Sequence, residues 1–325
     1  MKMTIEVKPF PLHEPFVITG YTFHVTEVVW VTLMDGDAVG RGEAVGSYYL
    51  EETAAGMAAT LESVKAEVEA GATRADVQQL LPFGGARNAL DCAFWDLEAK
   101  RSGVSVWNTL QINPKPLATV ATIVIGSPEK MAADAERLAK YANLKIKLSD
   151  DDPIVRLEAI RKARPDANLV IDVNQGWSFE ALKEYIPHAE RLGIAMIEQP
   201  LKRGGDEALE GFQSPVPLGA DESCLSLSEY ESIASRYDVV NIKLDKCGGL
   251  TEGLAIVKRA QADGKGLMVG NMTGTSLSMA PAYVIGQHCR FVDIDGPIFL
   301  KDDVEHGLEF QEGGVVSIPT PDLWG

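Results

Sequence analysis

Eight short β-rich runs recur along the second two-thirds of this chain: ATIVIG, NLKIKLS, NLVIDVNQG, AMIEQP, PLGADES, VVNIKLDK, GLMVGNM and FVDIDGP. Each begins about 20 to 30 residues after the last, and helical stretches such as EKMAADAERLAKYA separate them. Strands alternating with helices pair in parallel through crossovers. Eight of them is the count of a (β/α) barrel, an α/β fold whose functional side chains gather at the C-terminal ends of the strands. A chain of 325 residues, 46% hydrophobic, suits two domains or one barrel with an appendage.

The appendage lies at the front. From Met3 to about Val45 the pattern is strand-like, with TEVVWVTL and DAVGRGEAV flanking a Met34-Asp35-Gly36-Asp37 turn, which predicts an antiparallel meander. Three helical stretches follow, EETAAGMAATLESVKAEVEAG, TRADVQQLL and ARNALDCAFWDLEAKRSG, with Gly71 and Gly103 where helix stops belong. An α+β module over residues 1–115 therefore precedes a barrel over 116–300, with the Pro114-Lys115-Pro116 linker at the junction. Residues 301–325 are expected to return to the first module.

A formal charge of -17 and a pI near 4.7 argue against nucleic acid or an anionic membrane surface as partners. The start, MKMTIEVKPFPL, alternates apolar and polar residues and does not read as a signal peptide, and no stretch is apolar enough to span a bilayer. Cys92, Cys224, Cys247 and Cys289 lie far apart without a C-x-x-C pair, as expected of reduced thiols and not of a zinc site. A cytoplasmic location is expected, and the sequence leaves room for a homo-oligomer.

Polar residues fall at the strand ends. Asp172 ends the third run, Glu198 the fourth and Asp221 the fifth. Singly, each has a structural explanation: an Asx-turn for Asp172, a solvated end before Pro200 for Glu198, a helix cap for Asp221. Together on adjacent strands, three carboxylates repel unless a cation sits among them, and hard oxygen donors suit Mg2+. Lys145 and Lys147 share one face of the second run, and Lys243 lies on the sixth, across the ring. A lysine acts as a general base only when its pKa falls. The expectation is that Lys145, with the cation, lowers the pKa of Lys147.

The set KIK, DVN, IEQP, ADES and NIKLDKCGG resembles the enolase superfamily, in its muconate-lactonising subgroup, over nearly the whole chain. The resemblance implies a modified (β/α)7β barrel of the TIM type, closed by an α+β capping domain. It implies proton abstraction beside a carboxylate, with Asp172, Glu198 and Asp221 as ligands of a magnesium ion that stabilises the enolate; such sites are known to pair a lysine or histidine base with magnesium. Lys147 and Lys243 on opposite faces of one carbon imply epimerisation. The five histidines fall outside the strand ends, unlike the mandelate-racemase subgroup.

Asp293 and Asp295, in FVDIDGP, share a face at the end of the eighth run. A turn before Gly296-Pro297 would explain them, but the same D-x-D in dipeptide epimerases receives the substrate's free α-amine. The implied substrate is a dipeptide of the L-Ala-D/L-Glu type, with Thr122 and Asn271 as further contacts. An o-succinylbenzoate synthase or muconate cycloisomerase is the alternative within the subgroup, and its substrate would leave the two aspartates unexplained. A barrel kept only for binding or scaffolding is the alternative of another class, disfavoured by the retained lysines and acids. One departure stands out. Glutamate-specific relatives place an arginine in a cap loop near residue 20, whereas here FVITGYTFHVTE offers Tyr21, Phe23 and His24, and no lysine or arginine occurs between Lys8 and Arg41. The specificity is therefore expected to shift toward uncharged or aromatic C-terminal residues, unless Lys202 or Lys301 reaches in.

Overall fold

The computed structural model describes residues 1–149 and 151–325. Its first unit opens on an antiparallel sheet of β1 (Lys2–Ile18), β2 (Tyr21–Asp35) and β3 (Ala38–Ala44), in that order. On it pack α1 (Ala54–Glu69), α2 (Arg74–Leu80) and α3 (Gly85–Ser102), burying Val29, Val31 and Leu33 against Leu61, Leu90 and Phe94. Helix α3 approaches β3 so closely that a Cβ at Gly40 or Gly42 would overlap the carbonyls of Ala93 and Ala89.

The stretch expected to be a cap loop is strand. β1 and β2 run on as a hairpin in which Ile18 pairs with Tyr21 across a Thr19-Gly20 turn, with Gly20 at φ 79°. Its β-branched and aromatic residues carry strand propensity, and a two-residue turn with φ above zero suits glycine. The hairpin is docked. The Thr19 hydroxyl donates to the carbonyls of Leu148 (3.2 Å) and Val173 (3.3 Å), and Ile125 N–H donates to Val17 O (3.2 Å).

After the short α4 (Val106–Thr109) and β4 (Leu117–Ala118), eight parallel strands follow: β5 (Val120–Ile123), β6 (Asn143–Lys147), β7 (Asn168–Asp172), β8 (Ile194–Glu198), β9 (Leu218–Ala220), β10 (Val239–Ile242), β11 (Gly266–Val269) and β12 (Phe291–Val292). Sequence order is also spatial order. The crossovers carry α5 (Pro128–Arg137), α6 (Pro153–Ala163), α7 (Phe179–Arg191), α8 (Leu227–Ile233), α9 (Leu244–Cys247), α10 (Leu250–Ala262) and α11 (Ser276–Gly286). Side chains join β12 to β5: Thr119 Oγ1 accepts from Ile294 N–H (3.0 Å), and Asp295 Oδ2 accepts from Thr122 N–H (2.8 Å). The fold is a TIM-type barrel with an N-terminal cap.

Cap and barrel are tied through α3 and through the chain's end. Arg87 donates to Cys247 O (2.6 Å) and Gly248 O (3.2 Å), satisfying carbonyls at the end of α9, the short helix that starts directly after Lys243. β13 (Val315–Val316) pairs with β4, and Trp324 Nε1 then donates to Cys92 O on α3 (3.0 Å). No helix among the described residues is long and apolar enough to cross a membrane.

Candidate active site

Strand side chains alternate, so every second residue points into the barrel. Val170, Met196, Val239, Met268 and Phe291 form one apolar layer there. Two residues further along β7, β8 and β10 the inward positions are Asp172, Glu198 and Asn241, and two beyond Phe291 stands Asp293. Lys145 and Lys147 on β6 and Lys243 after β10 occupy the same inward columns. The apolar layer is the floor on which a ring of charge stands.

That ring is buried and tightly paired. Lys145, 1% exposed, has its Nζ 3.0 Å from Asp172 Oδ2, 2.8 Å from Glu198 Oε2 and 2.8 Å from Asp293 Oδ2. Lys147 Nζ donates to Asp172 Oδ2 (2.6 Å) and to Asn174 Oδ1 (3.1 Å). Opposite, Lys243 Nζ lies 2.7 Å from Asp221 Oδ2. Both Lys147 and Lys243 line one cavity of about 260 Å³ under the cap, together with Lys145, Thr122, Asn271, Asp293 and Asp295.

Burial opposes the Lys145 charge, but Asp172, Asp293 and Glu198 more than offset it and hold its pKa well above the ordinary lysine value. Its ammonium is a strut among acids. Burial likewise opposes charge on Lys243, but Asp221, Glu198 and Asp172 together outweigh it and raise that pKa too. Burial pushes Asp172 up, and Lys145 and Lys147 bring it below the usual range. Glu198 goes the other way, to about 7, through burial and then Asp172 repulsion.

At the barrel seam, Asn271 Nδ2 donates to Asp293 Oδ1 (2.9 Å) and Asp295 Oδ1 (3.3 Å), while Thr122 takes part through its backbone N–H. Burial, then repulsion from Asp293, raises Asp295 to about 8. Tyr21 does not line the cavity. It is 44% exposed and stacks on the outer side, 6.1 Å from Phe23 and 4.6 Å from Tyr48, because the hairpin turn directly before it carries it past the barrel mouth. Phe23 does line it, and His24, Lys202 and Lys301 do not.

Two sequence-model matches decide the family. Residues 130–322 fit the enolase C-terminal domain-like family, and residues 1–110 fit the N-terminal domain of mandelate racemase and muconate lactonizing enzyme. The chain belongs to the enolase superfamily. L-Ala-D/L-Glu epimerase of Escherichia coli (strain K12) is 43% identical over 307 residues, 94% of this chain and 96% of that one. An Agrobacterium tumefaciens enolase family member with homology to dipeptide epimerases, solved with sodium and L-Ala-L-Glu, superposes with a TM-score of 0.96 at 41% identity over 99% of each chain. Dipeptide epimerase from Enterococcus faecalis V583, complexed with Mg and L-Leu-L-Tyr, gives 0.90 at 26% identity, covering 98% of this chain and 96% of that one. This superfamily member is an epimerase, an isomerase in reaction class.

Several residues of the enolase-type site escaped the sequence reading. Lys246 donates to Asp221 Oδ1 (2.6 Å), Asp221 O (2.6 Å) and Asn241 O (2.9 Å); its place one helical turn after Lys243 was the available signal. Asn241 Nδ2 donates to Glu198 Oε1 (2.7 Å), and Asn174 Nδ2 to Glu222 Oε1 (3.3 Å). Among the described residues no three acids are grouped around a space for a metal ion, since Asp172 and Glu198 close on Lys145 and Asp221 on Lys243. The donor set nevertheless fits a hard cation. Glu198 Oε2 and Asp221 Oδ2 are buried oxygens whose partners are the ammonium groups of Lys145 and Lys243, with no other hydrogen bond accepted. Six buried carboxylates (Asp172, Glu198, Asp221, Glu222, Asp293, Asp295) face four buried ammonium groups (Lys145, Lys147, Lys243, Lys246). Acids outnumber ammonium groups there, as a site for a hard cation needs.

Proposed function

We propose that this protein is a magnesium-dependent dipeptide epimerase that inverts the C-terminal Cα by two-base 1,1-proton transfer. One observation carries the reading: Lys147 and Lys243 enter a single cavity from opposite sides of the ring, on β6 and directly after β10, with the acids between them. Asp172, Glu198 and Asp221 would hold the magnesium, which when bound supplies positive charge against the negative charge that grows on the substrate carboxylate.

Lys147 takes the α-proton of one epimer at Nζ, and Lys243 returns a proton to the opposite face; in the reverse direction they exchange roles. Asn174, accepting from Lys147 Nζ, fixes where that ammonium sits. Asp293 and Asp295 receive the dipeptide's α-amine, and Asn271 holds both carboxylates toward it. Lys145 locks Asp293 against the metal-side acids, so amine site and carboxylate site keep a fixed separation. The docked hairpin lines the cavity from the cap side through Ile18, Phe23 and Val25.

Incubating L-Ala-L-Xaa dipeptides with enzyme and magnesium in deuterated water tests this. The C-terminal α-proton signal should disappear while signals of the second diastereomer grow. Absence of exchange for every dipeptide tried would remove the reading.

A further inference from the structure

During proton transfer the reacting carbon is flat, and Lys147 and Lys243 take its two faces. Of its three in-plane directions, the carboxylate points to Asp172, Glu198 and Asp221, and the nitrogen to Asp293 and Asp295. The third leads out of the barrel mouth, because the floor is filled by the apolar layer of Val170, Met196 and Met268. The C-terminal side chain therefore meets the cap.

What the cap presents there is mostly apolar. Phe23 and Val25 from β2, Ile18 from β1 and Tyr48 line the cavity. The Phe23 and Tyr48 rings meet edge to face at 5.5 Å, and Tyr21 stacks behind Phe23, so the wall is braced. The charged residues that the cap contributes are Glu27 and Glu52, both acidic. Among the described residues the cationic lining is Lys145, Lys147 and Lys243, and each has a barrel carboxylate within 3.0 Å. A substrate carboxylate entering this wall would lose its water, gain no counter-charge and face two like charges.

The geometry points to a dipeptide with an apolar or aromatic C-terminal side chain as the preferred substrate, selected by the wall of Phe23, Val25 and Tyr48. This rests on the dipeptide-epimerase reading, and it separates the chain from the similar Agrobacterium tumefaciens protein solved with L-Ala-L-Glu.

The test is kcat/KM for L-Ala-L-Phe, L-Ala-L-Leu, L-Ala-L-Met and L-Ala-L-Glu, measured by α-proton exchange with the full chain and magnesium. The best apolar substrate should exceed L-Ala-L-Glu by at least about tenfold, the discrimination one mismatched pocket contact typically gives. Phe23→Arg should narrow or reverse that ratio by a similar factor. Val25→Arg, at a position already 41% exposed, serves as the second variant should Phe23→Arg fail to fold by circular dichroism. A wild-type preference for L-Ala-L-Glu overturns the inference and leaves the epimerase reading intact, as does a ratio unchanged in a folded arginine variant. Exchange of no dipeptide at all overturns both.

Discussion

Lys145 Nζ lies 2.8 Å from Asp293 Oδ2, a contact between residues 148 apart that runs from β6 across the barrel seam to the end of β12. The same ammonium reaches Asp172 and Glu198, so a single buried cation links the proposed metal side to the proposed amine side. Replacing Lys145 by Met keeps much of the volume and leaves three buried acids without their shared partner. The cost expected is about 3–5 kcal/mol, typical of breaking a buried pair from one side. Urea unfolding in the presence of chelator should show it, and unchanged stability would refute the strut.

The two lysines that face the reacting carbon should separate cleanly in kinetics. Lys243→Ala should lower epimerisation by about 10²–10⁴-fold, the usual contribution of one general acid–base group, while one epimer still exchanges its α-proton through Lys147. Lys147→Ala should reverse the pattern. Equal exchange of both epimers by either variant contradicts a two-base assignment.

How this site was readable from sequence differs residue by residue. Asp172, Glu198 and Asp221 were legible because each ends an apolar run just before a turn, and period-two alternation then fixes the face. Lys145 and Lys147 announced themselves as like charges two apart. The roles of their neighbours were hidden, since the charge balance around Lys145 depends on acids from β7, β8 and β12 that only ring order brings together. Lys246 was equally hidden because two of its three partners are backbone carbonyls, which carry no sequence signature. The hairpin falls within the strand-like stretch from Met3 to Val45, yet its tip was legible only in part, for another reason. Tyr21 to Val25 alternates like a strand, but its partner strand is offset by an irregularity between Pro11 and Phe16, and prolines at 9, 11 and 15 disguise β1.

Asp221→Asn removes one of the charges proposed to hold magnesium and weakens the hold on both Lys243 and Lys246. Magnesium affinity, measured by calorimetry on chelator-treated protein, should fall by at least about tenfold, since even outer-shell partners of metal ligands cost that much. Wild-type turnover should vanish in chelator and return with magnesium. Full activity of Asp221→Asn in chelator would exclude a metal role for this acid.

Thr19 holds the tip of the cap hairpin on the rim through hydroxyl bonds to Leu148 O and Val173 O. Thr19→Val preserves shape and β propensity and deletes only the donor. Loss of such a bond is worth about 0.5–1.5 kcal/mol, so KM for a dipeptide should rise by a few-fold to about tenfold while kcat changes less. A fall in kcat with KM unchanged would place Thr19 in the chemistry and not in closure.

Glu43 supplies a pH dependence remote from the lysines. Its carboxylate is buried where β3 meets the start of α11, accepting from Trp30 Nε1 (2.7 Å), Thr275 N–H (2.8 Å) and the Thr275 hydroxyl (2.5 Å). Burial raises its pKa to about 7 from 4.5, although those hydrogen bonds pull the other way. Between these two values the folded protein keeps a proton that the unfolded chain has lost, so this group's contribution is complete below pH 4.5 and disappears as pH rises through 7. Its span is about 3 kcal/mol at the 1.36 kcal/mol that one pKa unit represents. Glu43→Gln cannot titrate. Whatever constant cost the amide brings by facing three donors, the stability gap between wild type and Glu43→Gln should shift in favour of the variant from pH 5 to about pH 7 and level off by pH 8. Parallel urea titrations across that range measure it, and a gap that stays constant with pH would mean that Glu43 remains ionised in the folded protein throughout.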